Sequence, residues 1–438
     1  MSEKIHVHLE DEEMPDHWYN LAVELPWEMP LPIEGETDKT FDFEKLSKIY
    51  TEEACKIELL MDDYGKKTYI PIPSEVLAQY KKYRATPLQR AVGFEKALGY
   101  EGQIWVKRED CNPAGSHKPN TSLPQAYYAT LQSDIDTLIT DTGAGQWGAS
   151  VSLSCNYFGI KSIIFMTRDS YKNKPYRVNL MELAGAKVYP SPSPATSVGK
   201  KLFKENPNHP GSLGIGMGEA MEIVRTNPKC RLALGCMSYY AAMHQTIIGL
   251  ETRKQIEKGN INADILIACV GGGSNFMGFT APLIGDKLKK INNTRFLAVE
   301  SANIPSLTKG KYEYDYQDYF GYTPKVKMLT LGHKFLPPML HSGGLRYHGK
   351  TPILSLLVEK GIVEPKAITQ DEAFNACKLF YQSEGILSAP ESGHAIAQTI
   401  KEVEKAKKDK KNPTIIFCLT GNGYLDLKGY ADVFNLHK

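Results

Sequence analysis

The sequence predicts an α/β protein with two three-layer domains, each built on a parallel β-sheet between helices. Three observations support this fold class. The chain has 438 residues, enough for two cores at roughly 100–200 residues per domain. From Tyr83 onwards, short β-prone apolar runs alternate with helical patterns, and this alternation favours parallel strands covered by helices. The alternation occurs in two series, separated by a helical stretch near residues 239–258.

The first segment, residues 1–83, is predicted to be an irregular N-terminal extension packed on the rest of the protein. It is rich in proline, glutamate and aromatic residues, and Pro26, Pro30 and Pro32 follow one another closely. Proline interrupts helices and strands because it lacks a backbone N–H. We therefore assign no chemistry to this segment.

Residues 84–246 are predicted to form an N-terminal α/β domain, with part of the stretch 84–117 crossing to the other domain. Its clearest elements are strands at 138–141, 162–167 and 187–189, and helices at 149–157 and 171–185. Several prolines in residues 190–212 predict a loop there.

Residues 247–438 are predicted to form a C-terminal α/β domain, with strands at 265–270, 296–300 and 414–419. The lysine-rich stretch 401–411 is typical of a solvated helix or turn. In open parallel sheets, ligands bind beyond the carboxyl ends of the strands. The site should therefore lie in the glycine-rich loops that follow strands.

Composition excludes several classes of partner. The 52 basic and 50 acidic residues give a net charge of +2, so no global field attracts nucleic acid or an anionic membrane. The eight cysteines form no Cys-x-x-Cys pair, which predicts reduced, mostly buried thiols, a cytoplasmic location and no bound metal. The acidic start lacks the apolar core of a signal peptide, and no apolar run approaches the roughly 20 residues of a membrane span. Small-molecule substrates are the expected partners.

A glycine-rich loop follows the apolar run at 265–270. In Gly271-Gly-Gly-Ser-Asn275, the glycines let backbone N–H groups converge on an anion, and a following helix would add positive potential. This pattern favours a phosphate site, although a simple turn between strand and helix explains three glycines equally well. The lysine that ends a nucleotide-binding P-loop is absent.

A lysine lies in the segment Gly115-Ser-His-Lys-Pro-Asn120. A lysine desolvated in a pocket can form a Schiff base with an aldehyde, and a phosphate-bearing aldehyde would use Lys118 together with the glycine loop. Taken alone, Lys118 is better explained as a surface charge. The combination of the two motifs carries the interpretation.

Several motifs in a fixed order resemble one family. They are Ala85-Thr-Pro-Leu, Gly115-Ser-His-Lys118, Thr142-Gly-Ala-Gly-Gln-Trp-Gly148, His244-Gln-Thr-Ile-Ile-Gly249, Gly271-Gly-Gly-Ser-Asn275, Glu384-Gly-Ile and Glu391-Ser-Gly-His394. From about Tyr83 to its end, the chain resembles the tryptophan synthase β chains, fold-type II enzymes that hold pyridoxal 5′-phosphate (PLP) between two domains. The extension, Trp147 and Gly344-Leu-Arg-Tyr-His-Gly349 resemble the family's long-form second type.

The resemblance implies a role for each matching position. Catalysis falls to Lys118, as Schiff-base lysine and general base, and to Asp141. Thr420 matches a neutral hydroxyl facing the pyridine nitrogen, which suits β-elimination and replacement. Cofactor binding is assigned to His117, Lys118, Asn120, Gly271, Gly272, Gly273, Ser274, Asn275, Glu391 and Thr420. Substrate binding is assigned to Thr142, Gly143, Ala144, Gly145, Gln146 and Arg346.

Four positions depart from the family pattern. Asp141 stands where the family has glutamate, and a displacement on the order of 1 Å can cost about 100-fold in rate. Arg346 stands where the short form has an aspartate and could clamp a phosphate, and the resemblance to the long form implies O-phosphoserine as donor. Pro119 fits a first helical turn, whereas Pro124 should kink or end the helix after Lys118.

The leading hypothesis is PLP-dependent condensation of indole with serine or O-phosphoserine to give L-tryptophan. The alternative is a PLP-dependent serine or phosphoserine deaminase, or β-replacement with a non-indole nucleophile. A non-catalytic nucleotide-binding protein is a third hypothesis, from a different class. The resemblance also implies a homodimer and allows a monovalent cation near the site, whereas the long form argues against an α-chain partner.

Overall fold

Four β-sheets organise the computed structural model, which describes residues 5–436. The predicted acidic start of the chain thus includes residues 1–4, which lie outside the described part. Residues 5–436 contain fifteen strands. These are β1 (His6–Val7), β2 (His17–Tyr19), β3 (Tyr69–Pro71), β4 (Leu88–Arg90), β5 (Ile104–Arg108), β6 (Thr137–Thr142), β7 (Lys161–Thr167), β8 (Lys187–Ser191), β9 (Cys230–Leu232), β10 (Ile265–Cys269), β11 (Arg295–Ser301), β12 (Lys311–Tyr316), β13 (Lys325–Thr330), β14 (Glu364–Ile368) and β15 (Ile415–Leu419).

Eighteen α-helices lie in the same described residues. They are α1 (Phe43–Ser47), α2 (Glu52–Glu58), α3 (Ser74–Tyr80), α4 (Val92–Leu98), α5 (Pro119–Thr130), α6 (Gln146–Phe158), α7 (Arg168–Asn173), α8 (Pro175–Leu183), α9 (Ser197–Glu205), α10 (Leu213–Thr226), α11 (Tyr239–His244), α12 (Ile247–Gly259), α13 (Ser274–Leu288), α14 (Ser306–Lys309), α15 (Pro352–Glu359), α16 (Gln370–Glu384), α17 (Ser392–Lys408) and α18 (Leu427–Phe434). Short 3₁₀ turns lie at Asp11–Glu13, Leu21–Glu24, Asp62–Gly65, Gly343–Leu345 and Tyr424–Asp426.

The smaller of the two main sheets has the strand order β8-β7-β6-β9, and its neighbouring strands are parallel. All six residues of β6 are buried, as expected for a parallel strand covered by helices. Helices α6 and α10 pack against β6 and β7. The carboxyl end of β6 leads directly into the loop that precedes α6.

The larger sheet has the order β1-β4-β5-β15-β10-β11-β14. Its strands from β5 to β14 run parallel, whereas β1 and β4 are antiparallel additions. Ile104 of β5 pairs with Ile415 of β15, so a strand that precedes Lys118 belongs to the larger sheet. The domain boundaries near residues 83 and 246 stay predictions.

The N-terminal extension is more regular than expected. It contains three short helices and three short strands, of which β1 joins the larger sheet and β2 pairs with β3. Its aromatic residues explain this order, since Trp18, Tyr19 and Tyr80 are buried in the main hydrophobic core. Proline content marked the segment as irregular, but burial of these large side chains stabilises local structure.

Two local predictions in the smaller-sheet region were wrong. The predicted loop at 190–212 contains α9, which begins where the Thr196 hydroxyl accepts a hydrogen bond from the Gly199 N–H, a standard helix cap. The predicted helix at 171–185 is instead two helices, α7 and α8, interrupted at Lys174 before Pro175. Proline at the first helical position explains the second start.

The helix after Lys118 does not end at Pro124, contrary to expectation. Helix α5 runs from Pro119 to Thr130 with Pro124 inside it. A proline at this position cannot donate to the carbonyl four residues earlier, that of Asn120. The Tyr80 hydroxyl donates to that carbonyl instead. A tertiary contact thus replaces the missing helical bond.

No helix in the described part of the chain is both long enough and apolar enough to span a membrane. Within residues 5–436, no group of three or more histidine, cysteine or acidic side chains is arranged to hold a metal ion. The eight cysteines are unpaired, and six of them are buried.

Candidate active site

Two adjoining cavities lie where the carboxyl ends of strands from both main sheets converge. The glycine-loop cavity is lined by His117, Lys118, Gln146, Cys236, Cys269, Gly271, Gly272, Gly273, Ser274, Asn275, Gly344, Leu345, Glu391 and Thr420. The Asp141 cavity is lined by Lys118, Asp141, Thr142, Gly143, Ala144, Gln146, Trp147, Leu213, Met217, Leu234, Gly235, Cys236, Met237, Gly344 and Tyr347. Lys118 lines both cavities, so its amine can serve groups bound on either side.

Lys118 precedes α5 and directs its amine to the Gly235 carbonyl, with an Nζ–O distance of 2.9 Å. The amine also lies 5.8 Å from the centroid of the Trp147 ring. Burial lowers the pKa of Lys118 below its ordinary value because desolvation disfavours the charged form. A larger fraction of neutral amine is available as a nucleophile and a base.

The glycine loop connects β10 to α13, and bulkier side chains would not fit in it. A Cβ atom on Gly271 would lie 2.3 Å from the Gly344 carbonyl oxygen, and one on Gly272 would lie 2.6 Å from the Cβ of Cys236. Gly273 has φ +110°, which favours glycine. The first N–H groups of α13 lack helical partners, so the loop offers a compact anion site at a helix N-terminus.

Ser274 and Asn275 open α13 beside this loop. The Ser274 hydroxyl donates to the Gly235 carbonyl at 3.0 Å, the same oxygen that receives the Lys118 amine. The Asn275 side chain donates to the Cys418 sulfur at 3.6 Å, while its Oδ1 atom has no hydrogen-bond partner. The Gly235 carbonyl thus joins the lysine to the glycine loop.

His117 is buried beside Lys118, and its Nδ1 atom has no hydrogen-bond partner within residues 5–436. Burial, together with the nearby Lys118 charge, lowers the pKa of His117 to about 3. The imidazole is therefore neutral, with one ring N–H to donate. Its backbone N–H donates to the Thr420 carbonyl at 3.0 Å, which connects Lys118 to the end of β15.

Asn120, expected to contact the cofactor ring, does not line either cavity. Its side chain is fully buried and its polar atoms are occupied. The Nδ2 atom donates to Glu109 at 2.9 Å and to Gln245 at 3.1 Å, and Oδ1 accepts from Arg84 at 2.7 Å. Asn120 supports α5 from behind, and the direct cofactor contact is not supported by this geometry.

Thr420 and Glu391 close the glycine-loop cavity on the side of β15. The Thr420 hydroxyl lies 2.9 Å from the Ser392 hydroxyl and 3.5 Å from the Cys269 sulfur, so no charged partner approaches it at hydrogen-bond distance. Glu391 accepts the Gly344 N–H at 2.8 Å through Oε1, while Oε2 has no partner. Burial raises the pKa of Glu391.

Asp141 is the last residue but one of β6, is buried and lines the second cavity. Burial raises the pKa of Asp141 to about 7, so the carboxyl group can exchange a proton near neutral pH. The loop that follows is held from both sides. The Gly148 N–H donates to the Thr142 hydroxyl at 3.1 Å, and the Thr167 hydroxyl donates to the Gly143 carbonyl at 3.1 Å.

Most of the predicted loop at 142–146 lines the Asp141 cavity, but Gly145 does not. Gly145 has φ +93°, and a Cβ atom there would lie 2.9 Å from the Arg177 side chain. Its role is therefore to let the chain turn into α6. Gln146 faces both cavities.

Arg346, the expected phosphate clamp, lies outside both cavities. Its guanidinium is buried, with the Nη2 atom 3.4 Å from the Pro337 carbonyl and 3.8 Å from the Met339 sulfur. The Nε atom has no partner. Burial lowers the pKa of Arg346.

Several lining residues were missed at the sequence level. Gly235 and Cys236 follow β9 closely, and the rule that ligands lie beyond strand ends could have identified them. Gly344, Leu345 and Tyr347 belong to the segment 344–349, whose motif resembles the long form, but a role was assigned only to Arg346 in it. The other lining residues to which the sequence analysis assigned no site role are Trp147, Leu213, Met217, Leu234, Met237 and Cys269.

The residues present fit PLP. The glycine loop can receive a phosphate at a helix N-terminus, the Lys118 amine can hold an aldehyde, and Thr420 offers a neutral hydroxyl. Among the described residues, three polar atoms of the glycine-loop cavity are buried without hydrogen-bond partners, namely His117 Nδ1, Asn275 Oδ1 and Glu391 Oε2, which indicates a site shaped for a polar ligand.

Fold and site together define a PLP enzyme with two parallel sheets, and the comparison with protein families agrees. The model for pyridoxal-phosphate dependent enzymes matches residues 80–421, so PLP is the cofactor of this protein and its substrates are small molecules. Within that class, the chain belongs to the family of tryptophan synthase beta chains. The predicted family and fold class are confirmed.

Two relatives illustrate the similarity. Tryptophan synthase beta chain 2 of Thermococcus kodakarensis is 48% identical over 425 residues, covering 97% of this chain and 95% of that protein. Tryptophan synthase beta chain 2 of Thermotoga maritima is 46% identical over 428 residues, covering 98% of this chain and 100% of that protein.

Solved structures of more distant proteins share the fold. A fungal L-serine ammonia-lyase from Rhizomucor miehei superposes with a TM-score of 0.61 at 17% identity, covering 81% of this chain and 99% of that chain. The processed threonine deaminase isoform 2 from Solanum lycopersicum gives a TM-score of 0.59 at 16% identity, covering 83% and 92%.

Proposed function

We propose that this protein is a lyase that catalyses PLP-dependent β-replacement, joining indole to the side-chain carbon of serine or O-phosphoserine to give L-tryptophan. One observation carries the proposal. Lys118 lies at the junction of the glycine-loop cavity and the Asp141 cavity, so a single amine serves a cofactor on one side and reacting substrates on the other. The names of the relatives support the same reaction.

In this proposal, residues 271–275 and His117 hold the cofactor phosphate, Lys118 holds the aldehyde carbon, and Thr420 faces the pyridine nitrogen. Bound PLP supplies an electron-withdrawing ring that stabilises negative charge on the α carbon of the amino acid. When the amino acid takes the place of Lys118 at the cofactor, the Lys118 amine is free and can remove the proton from that carbon. Its lowered pKa supports this role as base.

The loop at 142–146 receives the carboxylate of the amino acid through backbone N–H groups in this proposal. Asp141 lies at the start of the loop and handles protons at the β carbon and at the incoming nucleophile. Its pKa of about 7 lets it give a proton to the departing group and take one from indole.

The composition of the Asp141 cavity supports indole as the nucleophile. Apolar and aromatic side chains line much of it, as Trp147, Leu213, Met217, Leu234, Met237 and Tyr347. The Trp147 indole N–H donates to the Thr140 hydroxyl at 2.7 Å, so this ring is fixed. A flat apolar substrate gains free energy by leaving water in such a cavity.

The same cavity favours serine over O-phosphoserine as donor. Among the described residues that line it, Lys118 is the sole lysine or arginine, and Arg346 lies outside. A donor phosphate would therefore enter without the bidentate partner that such groups prefer. We further propose a homodimer, which the family resemblance supports, and a cytoplasmic location, which the unpaired cysteines support. The long-form motifs support activity without an α-chain partner.

Product analysis tests the proposal directly. The PLP-loaded protein is incubated with indole and either serine or O-phosphoserine, and tryptophan is measured by mass spectrometry. We expect tryptophan, and faster with serine. Lys118→Ala should abolish both the product and the visible absorption of the bound cofactor, whereas exposed Lys172→Ala should change neither.

Two outcomes would contradict the proposal. Absence of tryptophan with both donors would exclude it. Release of pyruvate without consumption of indole would instead support the deaminase alternative, and Asp141→Glu should then restore indole use. A faster reaction with O-phosphoserine would overturn the proposed donor alone.

A further inference from the structure

Lys350 is a fully buried lysine directly beneath the glycine loop. It lies between the 3₁₀ turn at Gly343–Leu345 and α15, with no exposed surface. Its Nζ atom donates to the Gly271 carbonyl at 2.8 Å and lies 3.6 Å from a carboxylate oxygen of Glu300. Burying an ammonium group is costly unless it is paired and hydrogen-bonded. The contacts with Gly271 and Glu300 therefore offset the cost of burying Lys350.

The neighbouring residue fixes the next carbonyl of the loop. The Thr351 N–H donates to the Gly272 carbonyl at 2.7 Å. In a trans peptide unit the carbonyl and the N–H point in opposite directions. Holding the Gly271 and Gly272 carbonyls therefore turns the N–H groups of Gly272 and Gly273 the other way, away from Lys350.

The Lys350 ammonium group also neutralises the charge of Glu300. The Glu300 carboxylate is buried and accepts the N–H groups of Leu307 and Thr308 at 2.7 and 2.9 Å, close to the start of α14. Left alone, this fixed negative charge would repel an anion bound at the glycine loop. Burial lowers the pKa of Lys350, while Glu300 opposes that shift.

We propose that Lys350 is a positioning residue for the cofactor phosphate: a built-in cation that orients the N–H groups of the glycine loop and neutralises Glu300. The proposal rests on the assignment of residues 271–275 to the phosphate. It has a chemical corollary. Without the ammonium group, the Gly271 carbonyl and the Glu300 carboxylate lose their shared donor, and a monovalent cation such as potassium or ammonium could bind between these oxygens.

Cofactor affinity tests the proposal without relying on activity. The dissociation constant of PLP is measured by fluorescence titration of the apoprotein in potassium, ammonium or tetramethylammonium chloride at equal ionic strength. We expect Lys350→Met to weaken PLP binding by about tenfold or more in tetramethylammonium, as loss of a charge-assisted hydrogen bond implies. Ammonium or potassium should restore much of the loss.

Matched variants and the wild-type protein provide the controls. Lys309→Met removes an exposed lysine at the end of α14 and should bind PLP like the wild type, independently of the cation. Lys350→Gln keeps a donor for Gly271 without the charge, and it replaces Lys350→Met if that variant does not fold. The dissociation constant of PLP from Lys350→Gln should also depend on the cation present.

Binding of pyridoxal, which lacks the phosphate, distinguishes a failure of the phosphate assignment of residues 271–275 from a failure of the role proposed for Lys350. If the wild type binds pyridoxal as tightly as PLP, the phosphate assignment of the loop fails. If the wild type prefers PLP but the Lys350 variants keep that preference undiminished, or gain nothing from cations, the role of Lys350 is overturned. A PLP dissociation constant that changes between salts in the wild type would overturn it as well.

Discussion

At the scale of single residues, burial sets the charge of the groups that line the two cavities. It lowers the pKa of Lys118 and of His117, and raises the pKa of Asp141 and of Glu391. Each shift favours the neutral form, as expected where water is excluded. Asp141, whose pKa is raised to about 7, can change its protonation state near neutral pH, which suits a reaction that moves several protons.

The ionisation of Asp141 should control the rate of tryptophan formation. Because burial raises its pKa to about 7, the carboxylate that accepts the indole proton is lost as the pH falls through that value. We expect kcat/KM for indole to fall about tenfold for each pH unit below about 7. Asp141→Asn should remove this acidic limb and lower the rate by about 100-fold or more.

The pH profile between about 5.5 and 9 is the measurement. Asp136→Asn changes an exposed aspartate and should leave the profile unaltered. An acidic limb that persists in Asp141→Asn would assign the ionisation to another group, and Glu391 would then be the next carboxyl group to replace.

At the scale of elements, α5 shows how a helix tolerates an internal proline. Pro124 has no N–H for the Asn120 carbonyl, and the Tyr80 hydroxyl at the end of α3 supplies a donor. Tyr80 and Pro124 are both buried. The extension thus stabilises the helix that begins directly after Lys118.

Tyr80→Phe should lower the free energy of unfolding by about 1–3 kcal/mol, because it leaves the buried Asn120 carbonyl without a donor. In the double variant Tyr80→Phe, Pro124→Ala, the alanine brings a backbone N–H that can make the ordinary helical bond, so most of the loss should be recovered. Urea denaturation midpoints measure both effects.

The exposed Tyr381 gives the matching control, since Tyr381→Phe should leave the midpoint unchanged. If the double variant is no more stable than Tyr80→Phe alone, then the tyrosine stabilises the protein through packing and not through the Asn120 carbonyl.

The sequence predicted elements whose signals are local. The apolar run and glycines at 265–275, for example, specify strand β10, the loop and the start of α13 within a few residues. The contacts of Asn120 could not be predicted in this way. Its partners Arg84, Glu109 and Gln245 come from three separate segments, so no local pattern could show that its side chain was already occupied.

Arg346 lies outside both cavities for a related reason. The residue type suits a phosphate clamp, but the direction of its side chain depends on an irregular segment that turns it towards Pro337 and Met339. The extension was judged by its prolines, whereas the burial of Trp18 and Tyr19 against distant helices decided its structure.

At the scale of the whole molecule, a buried group of four charges joins distant segments. Arg84 pairs with Glu109 at 2.9 Å and with Glu251 at 2.6 Å, and Lys107 pairs with Glu251 at 2.7 Å. All four side chains are fully buried. Two positive and two negative charges balance, and they tie the start of the α/β region to β5 and α12.

Arg84→Met should destabilise the protein by about 3–5 kcal/mol, because it leaves buried carboxylates without their partner. Burial by itself raises the pKa of Glu109, but Arg84 holds it at about 2. Without Arg84 the folded pKa rises above the unfolded value, so the folded state binds the extra proton. The loss should therefore be smaller at pH 5.5 than at pH 8.

Denaturation midpoints at the two pH values test this prediction. Arg253→Met breaks the partly exposed pair with Asp286 and should cost no more than about 1 kcal/mol. A loss for Arg84→Met that is equal at both pH values would show that its cause is packing and not unpaired charge.

The order of strands in the larger sheet also bears on how the protein is made. Strand β15 lies at its centre, between β5 and β10, yet it is the last strand along residues 5–436. While the ribosome is still producing the chain before Ile415, the sheet remains split, with two unpaired inner edges that invite association with other chains. Thr420 closes the cavity around Lys118 only after that strand inserts, so we expect cofactor capture to follow the synthesis and insertion of β15.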